Sequence, residues 1–512
     1  MRFGIDLGTT RTLVAACDRG NYPVLSFEGP DGDAVDHVPT LSAACAGRLV
    51  HGWDAFAAAQ EGAPHLRSWK RLLGRHGPDH RVRIGAVEVS LFELMTGFLT
   101  ALRERILEVS PNDARERGAA LGAVVSVPAN AHSGQRWATL EAYRRAGFEV
   151  TRLVNEPSAA GIEFAHRHAS SITSRREHVA VYDLGGGTFD AALVRLAEDG
   201  YEVVSTAGVQ ELGGDDFDRA LAVLALERLG LDGTRVPDSS WPALLAECRA
   251  AKESIGASTR RVTLGLEALG ESAPSEPIVL QVADYYERVR PLVERSLEAL
   301  GEVLSAESTG ALDLENAATE AGLAGVYVVG GASALPLVAR HLRERFGRRV
   351  HRSPHPAGAI AIGLAIAADT ERATELGERL TRHLGVFRES DAGRTKIFDR
   401  IFESGTPMPR VGEGPLVAVR TYRAAHTVGQ LRFIECAALG REDEPTGDIT
   451  PHATVHYPYE RGLRGGDVGL PPITRLGELG PRIEERYEVD AAGVVTVTIS
   501  DLEDGYRQVY TL

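Results

Sequence analysis

The sequence predicts an α/β fold of two related lobes facing across a cleft, followed by a separate all-β domain. Three observations predict it. Apolar strand-like runs alternate with helix-spaced segments over residues 1–369. Two distant stretches share one grammar of strand, aspartate, glycine and threonine: FGIDLGTT at Phe3–Thr10 and VYDLGGGTFD at Val181–Asp190. Beyond Asp369 the texture changes to short alternating runs cut by glycine and proline turns.

The two shared stretches carry the first functional signal. Asp183 stands at a strand end, and Gly185, Gly186 and Gly187 let backbone N–H groups approach an anion, since no Cβ stands in the way. Thr188 adds a hydroxyl and Asp190 a second carboxylate. The earlier stretch offers Asp6, Gly8, Thr9 and Thr10 in the same order. One glycine loop after a strand carries little weight. Two of them point to facing loops that pinch a phosphate chain.

At 512 residues the chain has room for two to four domains. A formal net charge of −15 argues against a general binder of nucleic acid or acidic membrane. No uninterrupted apolar stretch of about 18 residues appears, so no membrane span is expected. The N-terminus shows no signal-peptide pattern. Cys17, Cys45, Cys248 and Cys436 are scattered, as suits reduced thiols in a cytoplasmic protein.

Taken in order, residues 1–16 form a strand hairpin, and a loop-rich stretch runs to about Ser90. Leu91–Val109 has helical spacing. Gly122–Val127 reads as a buried strand, and Gln135–Ala146 as a helix closed by Gly147. Arg152–Gly161 runs strand, turn and helix, with Glu156 at the helix start. Helices follow at Leu221–Leu229, Pro242–Ser254 and Tyr285–Leu304. Gly325–Gly331 is a strand ending in glycines, and Pro336–Phe346 a helix. His355–Ala367 is a small-residue helix expected to pack on that glycine loop. Residues 370–381 form a charged, helical connector, and residues 382–512 the β-domain, whose last part alternates around the turn Asp490–Gly493. Trp69–Arg75 (WKRLLGR) reads as a solvated helix edge or a basic contact patch. His351 and His355 flank a proline and read as loop residues, not metal ligands.

At this point the residues resemble the heat-shock protein 70 family, the DnaK type of chaperone, over nearly the whole chain. IDLGTT and VYDLGGGTFD are similar to its two phosphate loops. AVVSVPA (Ala123–Ala129), Gln135–Arg136 and NEPSAA (Asn155–Ala160) resemble its connecting segment. ELGGDDFD (Glu211–Asp218) and VVGGASALP (Val328–Pro336) match further signatures. HLGV (His383–Val386), GTPMP (Gly405–Pro409) and YEVDAAGVVTVT (Tyr487–Thr498) resemble its peptide-binding β-sandwich. The chain ends where the resemblance places the start of a helical lid.

The resemblance implies a two-lobed, actin-like ATPase domain over residues 1–369 and a β-sandwich substrate domain over residues 382–512. It implies ATP or ADP as ligand, with Mg²⁺ held mainly through water by Asp6, Glu156 and Asp183. Hydrated binding suits Mg²⁺, which takes few direct protein ligands. Gly8, Thr9, Thr10, Gly185, Gly186, Gly187, Thr188, Gly213, Gly214, Lys252, Gly330 and Gly331 would contact the nucleotide. Asp6, Glu156, Asp183 and Asp190 form the catalytic set. Asp183 or Asp190 would orient the attacking water, or Asp190 merely caps the following turn. Pro128 and Arg136 resemble residues that relay nucleotide state. Leu431 and Phe433 are candidates for the wall of a peptide pocket, or else fill the sandwich core. The implied partners are extended or unfolded polypeptide and a J-domain protein or nucleotide-exchange factor, with no nucleic acid and no membrane.

Departures from the family pattern shape the expectation. Phe56 stands where a lysine for the γ-phosphate is expected, so a slow ATPase is predicted. Ala334, Arg249, Gly256 and Ala357 replace groups of the adenine pocket, and the 370–381 connector is charged rather than leucine-rich. The leading reading is an ATP-regulated chaperone that binds extended peptides. The competing one is a degenerate scaffold. A sugar kinase or filament-forming actin relative shares the facing loops but has no place for NEPSAA, ELGGDDFD or the β-domain.

Overall fold

The computed structural model describes residues 1–110, 121–197, 200–209, 211–231, 233, 236–237, 240–305, 322–369, 378–452, 454–465 and 473–512. The chain divides into two compact units, residues 1–129 with 142–374 and residues 130–141 with 375–512. Most of the expected connector, residues 370–377, lies outside the described residues. Residues 378–381 are not helical.

The first unit contains two five-stranded sheets built to one plan. In one, Arg2–Leu7 runs antiparallel to Arg11–Ala16 and parallel to Leu121–Val127, with Phe148–Asn155 beyond. In the other, His178–Leu184 runs antiparallel to Phe189–Ala197 and parallel to Leu323–Val329, with Val350–Arg352 beyond. Parallel neighbours need a crossover. The helices Ser133–Arg145 and Pro336–Phe346 supply it at matching places. The middle strand of each sheet therefore delivers an aspartate, Asp6 or Asp183, at or near its carboxyl end, where open α/β sheets bind ligands. Leu121–Val127 is buried at every position, as is Val179–Leu184. Strands covered on both faces read as continuous apolar runs rather than alternating ones.

The helix Leu91–Val109 forms as its spacing predicts, opened by a reciprocal cap in which the Ser90 Oγ accepts from the Glu93 N–H at 3.1 Å. Residues 17–90 are less loop-rich than expected. They hold a three-stranded sheet (Leu41–Cys45, Arg48–His51, His65–Arg67) and the helices Gly52–Gln60 and Lys70–His76. Strands of three to five residues carry too little periodicity to be read from sequence. The small-residue helix, Ala359–Ala368, packs against Glu156–Arg167 and the strand Arg2–Leu7, not on the Gly330 loop as expected. It is the chain just before it that reaches that loop, with the Gly330 N–H donating to the Pro356 carbonyl at 2.8 Å.

The second unit is an antiparallel sandwich. One four-stranded sheet has the order Thr395–Phe402, His383–Ser390, Phe433–Leu439, Pro445–Pro451. The other has the order Leu416–Arg423, Arg482–Val489, Val495–Asp501, Arg507–Thr511. The turn at Asp490–Gly493 closes through the Gly493 N–H to the Asp490 carbonyl at 2.9 Å. Residues 130–141 belong to this unit: the Ser133 Oγ accepts from the Val495 N–H at 2.8 Å, and Arg136 donates to the Ala492 carbonyl at 3.1 Å. Leu431 and Phe433 are 5% and 0% exposed and lie in the core, with Phe433 against the Tyr487 ring. They fill the sandwich rather than wall an open groove.

Candidate functional site

The repeated plan brings the two Asp–Gly–Thr loops together inside the first unit. A Cβ placed on Gly186 would overlap Thr10, and one on Gly187 would overlap Thr9 and Arg71. Only glycine permits so close an approach. Behind the first loop the Thr40 hydroxyl donates to the Gly8 carbonyl at 2.8 Å and lies 3.0 Å from the Thr12 hydroxyl. The second loop is tied to the start of the helix Gly214–Arg228, because the Gly214 N–H donates to the Gly185 carbonyl at 3.0 Å and the Asp215 N–H to the Gly186 carbonyl at 2.7 Å. That places Gly213 and Gly214 against the glycines of residues 185–187.

Around these loops the structure gathers four carboxylates. Asp6 is buried and accepts from the Ser126 hydroxyl at 3.0 Å. Glu156 opens the helix that follows the strand Phe148–Asn155 and is buried as well. Asp183 and Asp190 face each other across the second hairpin. Burial, with Glu156 next in weight, pushes the Asp6 carboxyl up to about 7 and the Asp190 carboxyl to about 7. Burial and the charges of Glu156, Asp190 and Asp6 raise Asp183 well above the carboxylate range. Such a set is held together at a cost unless positive charge joins it.

One cation is already there. Lys70 Nζ lies 2.8 Å from the Glu156 carboxylate, with the two side chains 12% and 10% exposed. Burial opposes its charge, but Glu156 and Asp6 outweigh that and hold its pKa above the ordinary lysine value. Arg71, the next residue, donates to the Gly187 carbonyl and lies 3.5 Å from Asp216. Phe56 does not occupy this place. It packs edge-on against Trp53 at 5.4 Å and joins a small apolar cluster with Leu41, Ala43 and Ala55. The expectation of a missing lysine is therefore corrected: the site has its cation, delivered by WKRLLGR, the run read as a helix edge.

The four carboxylates suit a divalent cation. Among the described residues no three Asp, Glu, His or Cys side chains are placed to ligate one ion directly. Mg²⁺, which keeps several waters and takes few direct protein ligands, is a cation these carboxylates could hold.

Beside Gly214 stands a cluster of charged side chains. Lys252 donates to the Gly214 carbonyl at 2.9 Å and pairs with buried Asp218 at 2.6 Å. Arg249 spans Asp215 and Asp218 at 3.0 Å each. Gly330, with φ +83°, lies so close to Asp183 that a side chain there would overlap its carboxylate. Gly331 begins the short turn Gly331–Ala334, whose last residue is exposed.

Comparison with known proteins identifies the family. The model of the family described as Hsp70 protein matches residues 105–379. A chaperone protein HscA homolog of Bordetella petrii is 34% identical over 98% of this chain and 76% of its own length. The homolog from Pseudomonas aeruginosa is 34% identical with the same coverage, and that from Variovorax paradoxus 34% identical over 72% of this chain and 57% of its own. A family match over more than half the chain, with two relatives 34% identical over 98% of it, leaves one assignment: the chain belongs to the Hsp70 family of chaperones.

Proposed function

We propose that this chain binds Mg²⁺–ATP between its two glycine loops, hydrolyses it, and couples nucleotide state to the binding of extended polypeptide segments. The observation that carries the reading is the Lys70–Glu156 pair set among Asp6, Asp183 and Asp190. The backbone N–H groups of Gly186 and Gly187, with the Thr9, Thr10 and Thr188 hydroxyls, would hold phosphate oxygens, while the Gly185 N–H closes the loop onto the Thr188 carbonyl at 3.0 Å. Asp6, Glu156 and Asp183 would hold the waters of Mg²⁺, which when bound neutralises phosphate charge. Lys70 would turn from Glu156 to the terminal phosphate, and Asp183 or Asp190, with a raised pKa, would hold the attacking water. Catalysis of this kind rests on positioning and charge stabilisation.

Calorimetry with ATP and ADP, with and without Mg²⁺, tests the reading. Asp183→Ala is expected to abolish Mg²⁺-dependent binding. Binding as tight as in the parent would show that the carboxylates serve another purpose. The β-sandwich is the natural place for the polypeptide, taken as an added strand at a sheet edge, together with co-chaperones of the J-domain or exchange-factor kind.

A further inference from the structure

Away from the nucleotide cleft, the first unit holds a cavity of about 140 Å³ between the helices Gly52–Gln60 and Leu91–Val109. An engineered apolar cavity of about 150 Å³ admits benzene, so this one has room for roughly six non-hydrogen atoms. Its walls include Val38, Trp53, Phe98 and Leu102. The Trp53 indole N–H donates to the His37 carbonyl at 3.1 Å, which anchors that ring. His51 also lines the cavity. Its Nδ1 lies 2.8 Å from the Ser42 hydroxyl, while Nε2 has no hydrogen-bond partner among the described residues. Burial pushes the ring down to about 4, so it is neutral at neutral pH.

The rim is charged. Asp54, Glu104 and Glu108 stand there against one base, Arg105. Arg105 is already committed, at 2.7 Å from Asp54 and 3.3 Å from Glu108. Glu104 has no ion pair among the described residues. Three carboxylates against one guanidinium leave a negative rim around an aromatic-walled hollow.

We propose that this cavity is a subsite for the guanidinium or ammonium head of a small organic cation, with its alkyl stem against Trp53 and its charge at Glu104 and Glu108. A cation near an aromatic face and a charge-assisted hydrogen bond to carboxylate both favour such a guest. An anion would be repelled, and a neutral apolar guest would leave the Glu104 carboxylate unused. The same chemistry is offered by a free polyamine or by an arginine or lysine side chain of a polypeptide. None of the residues takes part in the nucleotide site.

The test is a titration of the full chain with ethylguanidinium at constant ionic strength, following the indole N–H and histidine ring resonances by NMR. Propionamide serves as a neutral guest of similar size. Saturable shifts are expected with a Kd on the order of 1 mM, as suits so few atoms. Propionamide should bind at least about tenfold more weakly, and so should ethylguanidinium to the Glu104→Gln/Glu108→Gln variant. Ala101→Leu fills the cavity while keeping every charge and should abolish saturation, with unchanged circular dichroism reporting an intact fold. Shifts that stay linear in the parent, equal binding of propionamide, or an unaltered Kd in Ala101→Leu would overturn the proposal. A second arm compares an end-capped Gly-Arg-Gly peptide with spermidine. Tighter binding of either one supports the subsite and names its source, and failure of both to displace ethylguanidinium overturns it.

Discussion

Lys70 supplies the positive charge that the four carboxylates between the glycine loops require, and removing it tests the chemistry most directly. Losing one preorganised electrostatic contact to a developing charge costs about 10²–10³ in rate. Lys70→Ala is therefore expected to slow single-turnover hydrolysis of ATP by that factor while the protein stays folded. Phe56→Lys should leave turnover near the parent value and cost about 1–2 kcal/mol of stability, as for other charges forced into an apolar cluster. If Phe56→Lys accelerates hydrolysis instead, the cation of the site has been misassigned. The contrast also marks how far single residues were legible. Asp6 and Asp183 announce themselves because buried strands deliver them and glycines follow. Lys70 does not: it opens a helix of only seven residues, beside a Trp69 that is fully buried and gives no periodic cue. What places it is the three-stranded sheet just before it, whose short strands left no pattern to read.

Strands and helices were more legible where both faces, or one whole face, are buried. The alternation in Ile483–Leu512 correctly implies strands, and Ile483, Glu485, Tyr487 and Val489 share the inward face of Arg482–Val489. Glu485 looks like a break in that pattern, yet it is fully buried. Arg388 reaches it at 2.6 Å from the facing sheet, the Tyr487 hydroxyl donates to it, and Asp399 holds Arg388 at 2.6 Å. Partners contributed by a distant strand cannot be inferred from local spacing. A buried pair of this kind is costly to break and cheap to replace. Glu485→Leu alone should destabilise the sandwich by about 3 kcal/mol, the lower part of the usual range because Asp399 remains beside Arg388. Arg388→Met with Glu485→Leu should recover most of the loss. Urea unfolding of the three proteins decides it, and a double variant no better than the single one would show that Arg388 is held by Asp399 and needs no second partner.

On the scale of the molecule, the two sheets of the first unit repeat one plan, and each lends one Asp–Gly–Thr loop to the same cleft. A ligand gripped by both loops ties together elements that no strand pairing joins. Nucleotide should therefore raise the thermal midpoint of this unit by mass action, with about 2.7 kcal/mol of stabilisation at a hundred times the dissociation constant. The gain belongs to the phosphates and not to the base. Gly186 and Gly187 pack against Thr10 and Thr9, where the proposed phosphates would lie, whereas Arg249 is spent on Asp215 and Asp218 and Ala334 and Ala357 offer a base no polar side chain. ATP and GTP, each saturating with Mg²⁺, are thus expected to raise the midpoint by the same few degrees. Chelating the metal should cancel both shifts, as should Asp183→Ala. A shift confined to ATP would mean that Lys252 and its neighbours read the base after all, and that Arg249 leaves its two aspartates when nucleotide binds.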